Sequence, residues 1–169
     1  MKTIMLTKGK IAIVDDEDYE RVSQHKWCAS EARNGRWYAV TRLPRTITHI
    51  PGRKIYLHRF LVGDDVDRID HRNDDGLDCR RQNLRIATRS QNGMNRGKQR
   101  DNTSGFKGVV KHRSQRGVRD RWIAQTKVSG RRIYIGVYDT PEEAAAAYDA
   151  AIVNLHKDFA KPNFQRQSQ

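Results

Sequence analysis

Cysteine is nearly absent: Cys28 and Cys79 are the only two, far apart and in no Cys-x-x-Cys pair. That excludes the cysteine-built zinc modules and favours reduced thiols in a cytosolic setting over a disulfide framework. No apolar run approaches the ~18 residues of a spanning helix. The start, MKTIMLTKGKIAIVDD, lacks the long apolar region and small-residue cleavage site of a signal peptide. No solenoid-type repeat is visible. Negative charge is also scarce, with 33 Lys and Arg against 20 Asp and Glu, a net charge of +13. Between Cys79 and Arg100 there is no acidic residue at all. The excess of positive charge is spread over both halves, so it predicts a polyanionic partner, most simply nucleic acid. An anionic membrane surface is the weaker alternative.

The length of 169 residues suits one medium domain or two small ones, and the element signals favour two α+β modules. TIMLTKGKIAIVD reads as two strands joined at Lys8-Gly9, and DDEDYERVSQH as a helix with an acidic start. WCASEARNGRWYAVTRL reads as a hairpin about Asn34-Gly35. RTITHIPGRKIYLHRFLVG reads as another about Pro51-Gly52, leading into a short helix over LHRFLVG. Residues 95–105, NRGKQRDNTSG, read as an extended basic linker. FKGVVKH, DRWIAQTKVS and RRIYIGVYD then read as strands, with a turn at Ser129-Gly130. TPEEAAAAYDAAIVNLHKDF is the strongest helix signal, with Thr140 as N-cap, Pro141 at the first position and a stripe of Ala144, Tyr148, Ala151 and Leu155.

The richest chemistry lies in IDHRNDDGLDCRRQNLRIATRSQN, residues 69–92. Ile69 to His71 reads as a strand end, NLRIAT as a second strand and SQNGMNR as a short helix, with a polar loop from Arg72 to Arg81 between the strands. A hairpin crossed by that helix brings Asp70, His71 and Asn92 together. Adjacent strand residues face opposite sides, so Asp70 and His71 share a site only if the strand bends or the helix covers its edge. Given convergence, the Asp70 carboxylate and the Asn92 amide oxygen are hard donors suited to Mg²⁺. His71 can take a proton from water, which with a cation is what phosphodiester hydrolysis needs. Asn83 would hold the loop or His71 by hydrogen bonding. Arg80, Arg81, Arg85, Arg89, Arg96 and Lys98 would meet the flanking phosphates. The same residues also allow a plainer account, a polar β-turn with Asx capping.

That stretch resembles the HNH motif of the ββα-metal (His-Me finger) nucleases, above all the phage and intron-encoded homing endonucleases. The likeness extends upstream through KIYLHRFLVG and, more loosely, LTKGKIAIVDDEDYERVSQHKW. The resemblance implies that Asp70 binds a metal, His71 is the general base, Asn83 is the middle Asn of the motif and Asn92 is the second metal ligand. Many HNH enzymes carry His at that last place. It also implies Mg²⁺ as cofactor, with Mn²⁺ as substitute. Gly93 after Asn92 is a poor helix residue, and the structural zinc ligands of some HNH proteins are absent. His58, in LHR, matches a family feature too; by itself it reads as a packed, hydrogen-bonded histidine. Arg59 reads as a phosphate contact. His25, His49, His112 and His156 have no partner pattern.

In the second half, alternation puts Arg121, Ile123, Gln125 and Lys127 on one face of a strand, and Trp122, Ala124, Thr126 and Val128 on the other. Arg132, Tyr134 and Gly136 share a face in the next strand, opposite Ile133, Ile135 and Val137. Such a sheet can enter a major groove, or simply present a solvated face. Residues 103–164 resemble the DNA-binding domain of plant ethylene-response-factor (Apetala-type) proteins, with GVYDTPEEAAAAYD the most specific part. The resemblance implies DNA contacts from Lys107, Arg121, Gln125, Lys127, Arg132 and Tyr134. Val110 stands where those domains usually carry Arg, and Tyr134 where they usually carry Trp, so their target sequence is not expected here.

The expectation is therefore an α+β chain: an HNH endonuclease domain over 1–98 with its ββα-metal core at 55–96, a basic linker at 99–104, and a three-stranded sheet packed on one helix over 105–165. Its expected function is site-specific, metal-dependent DNA cleavage of homing type. The alternative is a non-catalytic sequence-specific DNA-binding regulator. An RNA-binding role is disfavoured because the sheet lacks paired stacking aromatics. The expected partner is double-stranded DNA, bound by a monomer with no membrane and no obligatory protein partner, in the host cytoplasm or nucleoid.

Overall fold

Short β-favouring runs interrupted by Gly and Asn turns produce short strands, and the chain folds into small antiparallel sheets. The structure is a computed structural model that describes residues 1–43, 52–63, 65–99, 101–112 and 119–164. It divides into two compact units, Met1–Thr88 and Arg89–Gln169. Among the described residues no helix is long and apolar enough to cross a membrane.

In the first unit, β1 (Lys2–Met5) and β2 (Ile11–Val14) pair across a tight turn in which Lys8 and Gly9 take φ of 60° and 64°. Helix α1 (Asp16–Ser23) opens on Asp16, Glu17 and Asp18, where carboxylates oppose the positive end of the helix dipole. Strands β3 (Cys28–Glu31), β4 (Trp37–Arg42) and β5 (Lys54–Tyr56) form one sheet in that order. The hairpin expected about Asn34-Gly35 is present, with Gly35 at φ 78°. Most of the hairpin expected about Pro51-Gly52, and His49 with it, lies outside the described residues; its far arm is β5. Helix α2 (Leu57–Val62) follows without a loop. Strand β6 (Arg68–His71) pairs antiparallel with β7 (Leu84–Ala87). Val14, Val22, Trp27, Leu57 and Leu84 share the core. Leu57 and Val22 are fully buried, each worth about 1.5–3 kcal/mol of apolar transfer.

The second unit holds α3 (Arg89–Asn95), β8 (Val109–Lys111), β9 (Trp122–Val128), β10 (Arg131–Tyr138) and α4 (Pro141–His156). The sheet order is β10-β9-β8. Helix α4 begins with a reciprocal cap: Glu143 N donates to Thr140 Oγ1, and Thr140 N to Glu143 Oε2, both at 3.2 Å. Its buried face is Ala144, Ala145, Tyr148, Ile152 and His156. Ala151 and Leu155, expected in the stripe, are only half-buried. An alanine-rich helix offers several apolar stripes, and packing against the sheet selects among them. Gly108 decides part of it, because a Cβ there would sit 2.1 Å from the Tyr148 ring.

A β-bulge between Tyr134 and Gly136 corrects the expected faces of β10. Arg132 opposes Lys127 and Tyr134 opposes Gln125, but beyond the bulge Gly136 opposes Ala124 and Val137 opposes Ile123. Gly136 thus turns to the helix side and Val137 to the outer side. The segment expected as an extended linker is irregular but folded back. Asn102 Nδ2 donates to Phe106 O, and Ser104 Oγ to Val109 O, each at 2.8 Å.

Candidate functional site

The β6–β7 hairpin sets Asp70 opposite Arg85 and His71 opposite Leu84. Arg85 donates from Nε and Nη2 to Asp70 Oδ2, at 2.9 and 2.7 Å. The two side chains are 8% and 5% exposed. Arg85, expected on phosphate, is thus engaged with the expected metal ligand. His71 occupies a different environment. Its ring lies edge-on to His58 at 5.0 Å and to Tyr38 at 5.9 Å, and His58 stacks on Tyr56 at 5.4 Å. Burial is the main cause that lowers the His71 pKa, with Asp70, Asp75 and Asp78 opposing it. Burial, then His71 and Arg59, bring His58 down to about 3. Both rings are therefore neutral near pH 7, the state in which His71 can accept a proton.

The loop between the strands is fixed by its own polar side chains. Asn83 Oδ1 accepts from Asn73 N at 3.0 Å, while Asn83 Nδ2 donates to Asp78 O at 2.7 Å. Asn73 Nδ2 reaches Asp78 Oδ2 at 2.9 Å, and Asp74 N reaches His71 O at 3.0 Å. The loop also docks on the sheets, with Cys79 N donating to Ile13 O at 2.9 Å. Gly76 admits that approach, since a Cβ there would meet Trp37 O at 2.4 Å. This goes beyond a solvated turn: Asn83 holds the loop that follows His71. Arg80 forks onto Asp78 at 2.8 and 2.6 Å, and its hydrogen bonds are the main cause that lowers the Asp78 pKa. Arg81 forks onto Asp18 at 2.8 Å through both Nε and Nη2. Both arginines, expected on phosphate, have carboxylate partners within the unit. Arg59, expected likewise, donates to Val66 O at 3.1 Å and Asp67 O at 3.0 Å. Burial raises the Cys79 thiol far above its usual range, which makes it unreactive.

Residues 67–94 match the HNH endonuclease family model. The HNH segment thus covers Asp70, His71, Asn83 and Asn92, and the geometry above belongs to its two strands and loop. Asp70, His71 and Asn83 lie in the first unit, whereas Asn92 lies on α3 in the second. Among the described residues no group of three or more His, Cys, Asp or Glu side chains could hold a metal ion. A carboxylate and an amide oxygen are each hard donors of the kind Mg²⁺ takes while keeping most of its waters. The carboxylate Oδ2 is already held by Arg85. Sequence reasoning did not find the Tyr38, Tyr56 and His58 rings around His71, since no short-range spacing links them. The Asp70–Arg85 pair was within reach: both residues lie one step further from the loop than His71 and Leu84.

In the second unit, Lys127, Arg132 and Tyr134 are exposed and Gln125 is half-buried on the outer face of the sheet. Arg121, 48% exposed, meets Asp139 at 3.3 Å. Arg89 and Arg96 are exposed, and Lys98 donates to Gly105 O at 3.3 Å. Lys107, which the resemblance implies as a DNA contact, is half-buried. Its ammonium donates to the Met94 carbonyl, and burial lowers its pKa to about 8. That bond ties α3 to the second unit. The chain is 43% identical over 60 residues to ethylene-responsive transcription factor ERF015 of Arabidopsis thaliana, covering 32% of this chain and 32% of that protein. It is 41% identical over 63 residues to ethylene-responsive transcription factor ERF017 of the same plant, covering 36% and 31%. Dehydration-responsive element-binding protein 1J of Oryza sativa subsp. japonica is 40% identical over 62 residues, covering 35% and 24%. The chain spans about a third or less of the length of these relatives. The expected pairing of an HNH segment with an ethylene-response-factor-like segment is borne out.

Proposed function

We propose that this chain is a site-specific, metal-dependent DNA endonuclease of the homing type. The observation that carries the reading is His71, a buried imidazole heading a loop locked by Asn83, inside the HNH segment. His71 accepts the proton of the attacking water. Asn83 keeps the loop in register with it. Asp70 and Asn92 supply oxygen donors for Mg²⁺ or Mn²⁺. When bound, such a cation offsets the charge that develops on the phosphate and leaving oxygen. Arg85 orients the Asp70 carboxylate. Arg89, Arg96 and Lys98 meet flanking phosphates, and Arg121, Gln125, Lys127, Arg132 and Tyr134 give the second module its hold on duplex DNA. The domains on this reading are 1–98, 99–104 and 105–165.

A second reading, a non-catalytic DNA-binding regulator, has two observations in its favour. The curated relatives are named as transcription factors, and Arg85 holds the oxygen a metal would want. The two readings separate when the full chain is incubated with DNA from the region around its own gene, in Mg²⁺, in Mn²⁺ or in EDTA. The endonuclease reading expects cut ends with either metal and none in EDTA. His71→Ala should lower single-turnover cutting by about 10² to 10⁴, the worth of a positioned base, with DNA affinity kept. Tight binding without cutting in either metal supports the regulator; unchanged cutting by His71→Ala removes His71 from the chemistry.

A further inference from the structure

The outer face of the β8–β9–β10 sheet is not uniformly polar. Val110 opposes Ile123 on one side, and Val137 opposes Ile123 on the other, because the bulge shifts Val137 outward. An aliphatic row therefore crosses all three strands. Val110 is 41% exposed, and none of the three belongs to the core that packs against α4. Two rows of another kind follow along the strands, Gln125 with Tyr134 and then Lys127 with Arg132. The residues of this unit, 89–169, hold 16 Lys and Arg against 7 Asp and Glu. The face therefore combines a strong attraction for a polyanion with a strip that can make no hydrogen bond.

We propose that the Val110–Ile123–Val137 row reads thymine C5-methyl groups in the major groove of duplex DNA, so that the target is A·T-bearing at the row. The inference rests on the reading above that this module binds DNA, and names what it recognises. The other features read on base edges in that groove are hydrogen-bond donors or acceptors and small ring C–H groups, and the thymine methyl is the one bulky apolar group. Three strands ~4.8 Å apart place the row across ~10 Å, close to the ~12 Å width of the groove. Rows two residues apart along a strand are ~7 Å apart, about two base steps of ~3.4 Å. Gln125, one row on, carries the amide that pairs with the adenine N6 and N7 edge. Lys127 and Arg132 form the next row along the same strands and add positive charge to the face. β-branched residues also favour strands for their own sake, and the experiment separates the two accounts.

Duplexes are selected from a randomised library by the full chain in EDTA, then remade with deoxyuridine in place of thymidine. That exchange removes only the methyl. The wild type should select A·T pairs and bind the deoxyuridine duplex about tenfold more weakly at equal salt, each lost methyl contact being worth roughly fourfold. Deoxyuridine placed only outside the selected site should change nothing. The double variant Val110→Ser with Ile123→Ser should bind both duplexes alike and keep its salt dependence. Equal wild-type affinity for both duplexes, or selection of sites without thymine, overturns the inference while leaving DNA binding in place. So does a double variant that keeps the wild-type preference. A wild type that selects no duplex at all overturns the underlying reading and this inference with it. The wild-type measurements decide the question even if the double variant fails to fold.

Discussion

Asp70 and His71 are chain neighbours in unlike surroundings, one under an arginine and the other under aromatic rings. Alternation along β6 separates them, so whatever joins them functionally must come from outside the strand. Arg85 was expected to touch phosphate, but a guanidinium forked onto a 5%-exposed carboxylate belongs to the fold as well. Arg85→Ala removes the guanidinium forked onto that buried carboxylate, which costs about 3–5 kcal/mol. Urea denaturation should show the loss directly. A variant of wild-type stability that merely binds DNA less well would return Arg85 to the phosphate role. His156 makes a second case in the other unit. It is 4% exposed, hydrogen-bonded with Thr126 at 2.9 Å, and lowered to about 4 by burial first and then by Lys107. An unfolded histidine titrates near 6.5, so between about 4 and 6.5 the unfolded chain binds the extra proton and stability falls as pH falls. Going from pH 7 to pH 5 should therefore cost about 2 kcal/mol from this residue. His156→Gln should remove that share of the pH dependence in paired denaturation curves, leaving what His58 contributes in the first unit. An unaltered pH dependence would show that His156 takes up its proton alike in the folded and unfolded states.

At the scale of elements, β10 and α4 show where sequence stops specifying. The capped start of α4 was legible because Thr140, Pro141 and Glu143 act within one turn. The hairpin turns at Lys8-Gly9 and Asn34-Gly35 were legible for the same reason, since their positive φ angles are a local demand. The bulge at Tyr134 and Gly136 was not. A two-residue alternation continues through RRIYIGVYD without a break, and only the pairing with β9 reveals the extra residue. Nor was the Tyr148 contact with Gly108, which joins positions 40 apart. In the candidate site, Asp70, His71 and Asn83 were legible as a motif, but the rings around His71 come from β4, β5 and α2, and no local rule couples those to β6. Gly108 gives this long-range fit a test. Its φ is +77° and an added Cβ would lie 2.1 Å from the Tyr148 ring. Gly108→Ala should combine left-handed backbone strain of roughly 1–2 kcal/mol with overpacking of about 1–3 kcal/mol. A melting temperature within a degree of wild type would mean that Tyr148 can swing away at no cost.

For the whole molecule, charge is divided unevenly: residues 1–88 carry 17 Lys and Arg against 13 Asp and Glu, and residues 89–169 carry 16 against 7. Much of the first unit's positive charge is also spent on internal carboxylates, as at Arg36, Arg80, Arg81 and Arg85. The second unit should thus supply most of the phosphate attraction and most of the salt dependence, while the first supplies the reacting groups. Joining them in one chain raises the effective concentration of the reacting groups at any DNA the second unit holds. A fragment of residues 1–98 should therefore cut like the full chain at saturating DNA, bind far more weakly below saturation and show a flatter salt dependence. Residues 1–88 should behave differently, because they lack α3 and with it Asn92. Compactness assigns α3 to the second unit, where Lys107 holds the Met94 carbonyl, whereas the HNH segment runs through it to residue 94. Single-turnover cleavage by the two fragments decides which affiliation matters for chemistry. Cutting by 1–98 and none by 1–88 makes α3 part of the nuclease. Equal cutting by both removes Asn92 from the cation site. If 1–98 matches the full chain in affinity at equal salt, the second unit is not the part that holds DNA.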